Sequence, residues 1–342
     1  MTGSVVLRRG SVVESRHRVH VAVVDSDGRL CARAGNPDLV TFLRSAAKPF
    51  QAMPLVEDGA VESFGIPADE LALCCASHSA EPRHVEGVRR LLERCGVPES
   101  ALACGAHRPM SEEAADELLR TGRVPERIHN NCSGKHAGML ALAKHHGWPL
   151  DGYLSPGHPV QKRMFHEVAR WSGVAVEGIG TGVDGCGVVC FAIPVQFMAR
   201  AYAALAEAAA AGGAGARAIV AAMVTHPWMV AGTGRAGTRV MTACSGSVVV
   251  KEGAEGIYCG VALSGRLGFA LKVEDGASRA AEVAMVWVLE LLGLLSEAAR
   301  EELSGDFRPP VPNTRGEEVS FLDAELDLEW LEPRGTESLD VH

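Results

Sequence analysis

A serine hydroxyl stands three positions ahead of a lysine amine in the stretch Arg44-Ser45-Ala46-Ala47-Lys48-Pro49. On a helix starting near Ser45 the two side chains share one face, about one turn apart. Pro49 suits only the first turn of such a helix, and the helix is expected to end or bend before Pro54. A serine beside a buried amine can act as a nucleophile in acyl transfer. The plainer reading is a helix-capping serine next to a solvated lysine.

Two more sets extend the pattern. Ser77-His78-Ser79 closes the apolar, uncharged run 71–76, which reads as a buried element delivering polar groups to a cleft. Lys251-Glu252-Gly253 ends a strand expected to lie inside a meander, with a solvated strand end as the plainer reading. In serine β-lactamases and penicillin-binding proteins an S-x-x-K, an S-x-N-like turn and a K-[TS]-G occur in this chain order around one cleft. Glu252 departs from that last motif, which argues against recognition of a β-lactam carboxylate. Of 33 basic residues only six are lysine, at 48, 135, 144, 162, 251 and 272. Arginine serves nearly everywhere else, so a retained lysine points to amine chemistry that guanidinium cannot do.

A third group is Asn130-Asn131-Cys132-Ser133-Gly134-Lys135-His136 with Asp184-Gly185-Cys186. Cys132-x-x-Lys135 plus Cys186 is not a standard zinc spacing; on spacing alone the thiols read as two small buried hydrophobes. The glycines around Asp184 imply turns or close approach to a ligand. Gly232–Gly237 lacks the context of a phosphate loop.

These groups must be carried by the elements around them. Residues 17–25 and 29–34 read as a hairpin about Ser26-Asp27-Gly28. Helices are expected over about 82–95, from Ser111 to Gly122, up to Gly147, over 158–171, and across the Ala-rich 195–225 with a break at Gly212-Gly213. A flexible loop is expected at 231–239. Strands follow at about 246–251, 256–262 and 268–273, then a strongly apolar helix over 277–293. This order predicts an α/β fold of the α+β sandwich type, an antiparallel sheet covered by helices, rather than a doubly wound parallel sheet. One catalytic domain is expected over 1–326, followed by an acidic, flexible extension over 327–342.

The chain has 342 residues, 47% hydrophobic and 5% aromatic, with a net charge of −9. Its core must be built from Ala, Val and Leu. No basic face or run stands out, so nucleic acid and anionic membrane are not expected as partners. The first residues lack a basic then apolar leader pattern, and no run approaches the ~20 apolar residues of a spanning helix. A cytoplasmic protein is expected, with its ten cysteines as free thiols.

The blocks LRSAAKPFQAMPL, CCASHSAEPRHV, IHNNCSGKHAGML, TGVDGCGVV, VKEGAEGIYC and ALKVEDGASRAAE resemble the signatures of the asparaginase II family, from about residue 5 to 325. These are rhizobial-type L-asparaginases, related in fold to serine β-lactamases and glutaminases. The resemblance implies two catalytic pairs, Ser45 with Lys48 and Ser77 with Lys251. It implies a zinc ion on Cys132, Lys135 and Cys186, with Asp184 contacting the amino-acid substrate and His136 and Arg44 nearby. It also implies a homodimer. The reaction would convert L-asparagine to L-aspartate and ammonia, with Ser45 as nucleophile, Lys48 as its base, and Ser77 relaying a proton to the leaving nitrogen. The two serines could exchange roles. Alternatives are a glutaminase or other amidase on the same scaffold, or a zinc- or amino-acid-binding protein without activity.

Overall fold

The computed structural model describes residues 3–331, which divide into two compact units. The first holds residues 3–46, 193–207 and 239–331; the second holds 47–192 and 208–238.

The first unit is built on an antiparallel sheet. Its strands run in the order Pro310–Pro312, Glu318–Glu325, Gly3–Arg9, Val12–Val24, Gly268–Val273, Ile257–Ala262, Val248–Gly253. The expected hairpin and meander are both present. Strand Leu30–Ala34 pairs with Val12–Val24, and Glu329–Trp330 pairs with Leu30–Ala34 in turn. That pairing falls within the extension expected to be flexible; residues 332–342 lie outside the described residues. Among the described residues Val248–Gly253 has one strand partner and stands at the end of this sheet, where an inner position was expected.

Helix Ser278–Leu291 packs across five of these strands, burying Val283, Met285, Val286 and Leu289. The segment 195–207 lies close against Gly268, whose added Cβ would sit 2.1 Å from the Ala199 carbonyl oxygen. Only a glycine tolerates that approach.

The second unit is mainly helical. Helix Lys48–Glu57 packs against Ser133–His146, Pro159–Ser172 and Ala214–Thr225. Pro49 sits in its first turn as expected, but the helix runs on through Pro54 to Glu57. A proline there forfeits one ladder hydrogen bond, and burial of Phe50, Met53 and Leu55 on this helix offsets the loss. The run 71–76 is largely helical, within Ala68–Cys74. Strands Gly180–Val183 and Val189–Pro194 form a hairpin whose turn carries Asp184 and Cys186. The expected loop 231–239 is shorter than that, because a helix starts at Ala236. No single helix among the described residues is long and apolar enough to cross a membrane.

Candidate active site

Ser45 and Lys251 belong to the first unit. Ser45 is half-buried on the tight turn Arg44–Ala47, which leads directly into helix Lys48–Glu57. Arg44 holds a left-handed φ of 50°, a conformation that costs a non-glycine residue about 1–2 kcal/mol. Such outliers gather at functional sites. The turn is fastened by Tyr202, whose hydroxyl donates to the Ala46 carbonyl at 2.8 Å. Lys251 is fully buried, stands opposite Cys259 in the ladder, and places Nζ 2.8 Å from Glu252 Oε1. The end of its strand abuts the segment leading into Ser45: a Cβ at Gly253 would lie 2.7 Å from the Leu43 carbonyl oxygen.

The remaining candidates belong to the second unit. Lys48 is fully buried and donates to the Ala76 carbonyl at 2.6 Å and to Ser77 Oγ at 2.9 Å. The amine expected to serve Ser45 is therefore bonded to the second serine. The segment carrying Ser77 is held along its length. Ser77 N–H donates to the Val230 carbonyl, His78 N–H to Asn131, and Ser79 Oγ to Ala231, all at 2.9–3.1 Å. Ala80 follows with a second left-handed φ, of 57°.

His78 is buried, and its Nδ1 accepts from the Ala80 N–H while Nε2 meets Ser133 Oγ at 2.9 Å. Burial first, then His84 and Lys48, hold it well below the usual histidine range, so it stays neutral. It stacks on His84 at 5.2 Å; His84 stacks on Trp228 at 4.1 Å, with the Arg83 guanidinium 4.7 Å over that indole.

Cys132, at the start of helix Ser133–His146, hydrogen-bonds with both Cys186 and Lys48. Lys135 Nζ lies 3.0 Å from Cys186 Sγ and 3.8 Å from Asp184 Oδ2. The three candidate metal ligands and Asp184 thus converge, joined to Ser77 through Lys48. The hydrogen bond from Cys186 draws Cys132 well below the usual thiol range, against its burial and with help from Lys48 and Lys135. Cys186 moves up in return, by that same bond and by burial. Burial works against the charged form of Lys135, but Cys132, Cys186 and Asp184 outweigh it and hold the amine above its usual range. Among the described residues no group of three His, Cys, Asp or Glu is arranged to hold a metal. Zinc here would need the Lys135 amine as a donor. Two thiols already sharing protons with an amine fit such an ion, which takes thiolate and nitrogen ligands.

His136 is fully buried one turn after Cys132, with Nδ1 2.6 Å from the Tyr153 hydroxyl. Burial, then Lys135 and Lys48, keep its ring neutral. Sequence reasoning missed Tyr153, Ser133 and the Glu252 pairing with Lys251. No spacing marks them; that Tyr153 is one of three tyrosines was the available hint.

The family model for L-asparaginase II matches residues 5–324. The chain belongs to the L-asparaginase II family. It is accordingly an amidohydrolase with a small-molecule substrate, the family expected from its signature blocks. No curated protein matches it. Among solved structures, this asparaginase II chain is similar to that described as "Crystal Structure Analysis of Mglu" at 16% identity and a TM-score of 0.37. The alignment covers 81% of this chain and 67% of that one. "Mglu in its tris and glutamate form" aligns at 16% identity and a TM-score of 0.38, over 81% of this chain and 60% of that chain.

Proposed function

We propose that the protein hydrolyses L-asparagine to L-aspartate and ammonia through a serine-bound acyl intermediate. Family membership supports the reaction class. The single observation that carries the chemistry is a fully buried lysine amine donating to a serine hydroxyl, Lys48 to Ser77 at 2.9 Å.

Ser45 acts as nucleophile, three positions ahead of Lys48 on one helical stretch. As its Oγ bonds to the side-chain amide carbon, its proton passes to the amine of Lys48. The C–N bond then breaks as Ser77, paired with Lys251, passes a proton to the nitrogen, and ammonia leaves. Water adds to the ester by the same proton route, releasing aspartate and restoring the serine. Backbone N–H groups at the start of the Lys48 helix are the donors for the oxyanion. Asp184 takes the substrate's α-ammonium, and Arg44 and His136 complete the substrate contacts. Cys132, Lys135 and Cys186 would hold zinc, whose charge would help position substrate. In this reading the protein acts in the cytoplasm expected from its sequence, and as a homodimer, as the family resemblance implies.

The Lys48–Ser77 hydrogen bond favours one second reading, with Ser77 as the acylated residue and Ser45 in the relay. Ammonia release from asparagine and glutamine, measured side by side, tests the substrate; faster turnover of glutamine would overturn asparagine as the preferred one. Rapid acid quench followed by peptide mass analysis locates the acyl group. An adduct on Ser45 is expected, and its loss together with turnover in Ser45→Ala. Near-normal turnover in Ser45→Ala, with the adduct on Ser77, would exchange the two roles.

A further inference from the structure

The hydrogen bonds around Tyr153 leave one proton position open on His136. Tyr153 is buried, 1% exposed, and its hydroxyl oxygen accepts the Ala103 N–H at 2.9 Å. Its own proton has one acceptor among the described residues, Nδ1 of His136 at 2.6 Å. A ring nitrogen that accepts carries no proton, so the imidazole proton sits on Nε2. That Nε2 is buried and has no hydrogen-bond partner among the described residues. An orphaned donor inside a protein costs about 1–3 kcal/mol, so a fold keeps one where something else is to fill it. The ring lies within the electrostatic reach of Lys135, Lys48 and Asp184, the charged groups of the candidate site.

We propose that Tyr153 is a positioning residue that locks His136 in the Nε2–H tautomer, so that a neutral donor is held ready for an oxygen of the amino-acid substrate. This rests on the reading of the site as an amino-acid amidohydrolase and adds to it the residue that orients the donor. The tyrosine itself is held from behind, its backbone carbonyl accepting from the Gln161 side chain at 2.9 Å. The two rings meet edge to face at 5.5 Å, so the hydroxyl approaches in a fixed direction. A neutral donor suits a site already lined by titratable groups: it binds oxygen without adding charge to be desolvated.

Tyr153→Phe keeps the ring and removes the proton that dictates the tautomer. Loss of a directed hydrogen bond to substrate raises KM by roughly three- to tenfold while kcat stays within about twofold. A merely structural role would instead lower active fraction and kcat at unchanged KM. Long-range ¹⁵N–¹H spectra of histidine-labelled protein, with His136 assigned by its absence in His136→Gln, read the tautomer directly. The wild type is expected as Nε2–H, shifting on saturation with L-aspartate, and Tyr153→Phe as a mixture. An Nδ1–H form in the wild type, no shift with L-aspartate, or an unchanged KM in Tyr153→Phe would each overturn the proposal. A wild type that shows the Nε2–H form and its shift yet releases no ammonia from asparagine would sink the asparaginase reading and leave this assignment standing.

Discussion

Replacing Lys48 separates its two duties, holding the Ser77 segment and taking a proton. In Lys48→Met the chain volume is nearly kept and the amine is lost. The Ala76 carbonyl and Ser77 Oγ, at 2.6 and 2.9 Å in the native site, lose a buried donor. At about 1–3 kcal/mol for each orphaned acceptor the site would lose roughly 2–6 kcal/mol, offset in part because a buried amine no longer has to be desolvated. A net loss of about 2–4 kcal/mol is expected. The effect on turnover is larger than instability explains: a positioned base contributes about 10²–10⁴-fold. Lys48→Arg keeps a cation and its donors but cannot act as a base at neutral pH. Both variants should lose at least about a hundredfold in kcat/KM for ammonia release, while Lys48→Arg retains more of the stability. Denaturant unfolding and steady-state ammonia release on the same preparations supply both numbers. A folded Lys48→Arg within tenfold of the wild type would refute the role of this amine as the base.

Zinc content by elemental analysis, on protein prepared without chelator, should be about one per chain in the wild type and lost in Cys132→Ser; a metal-free wild type would return both thiols to a packing role. In Gly134→Ala the new Cβ would sit 2.3 Å from the Leu73 carbonyl oxygen, so helix Ser133–His146 must shift. That variant should lose more than about 2 kcal/mol of stability together with its metal and turnover, and unfolding at the wild-type denaturant midpoint would contradict it. Burial lowers His84 to about 4, with only a weaker upward pull from its bond to the Trp228 carbonyl. An unfolded histidine near 6.5 takes up the proton first, so stability falls with pH between about 6.5 and 4. Between pH 7 and pH 5 the wild type should lose about 2 kcal/mol more than His84→Phe in denaturant unfolding; equal losses would show that His84 is not responsible.

Much of the scaffold was legible because its signals are local. The cap at Ser111 accepts from the Ala114 N–H as expected, and the meander strands end at their glycine turns. Helix Ser278–Leu291 announces itself by apolar content. Strand Glu318–Glu325 did not, because it alternates only weakly and gains its place by pairing with Gly3–Arg9, more than 300 residues away. Pro54 misled for a related reason: local backbone cost was outweighed by packing that no short window contains. Within the site, residue types chosen for chemistry were findable, whereas the link from Lys48 to both Ser77 and Cys132 depends on chain folding alone.

Strand Gly3–Arg9 pairs on one side with its neighbour Val12–Val24 and on the other with Glu318–Glu325. During synthesis the first pairing can form early, but the second waits until strand Glu318–Glu325 has emerged. Val12–Val24 likewise waits for Gly268–Val273. Until those partners emerge the nascent chain carries open, apolar strand edges, the condition under which chains aggregate or recruit chaperones. Yield on overexpression should depend more steeply on temperature and translation rate than the finished protein's stability would suggest.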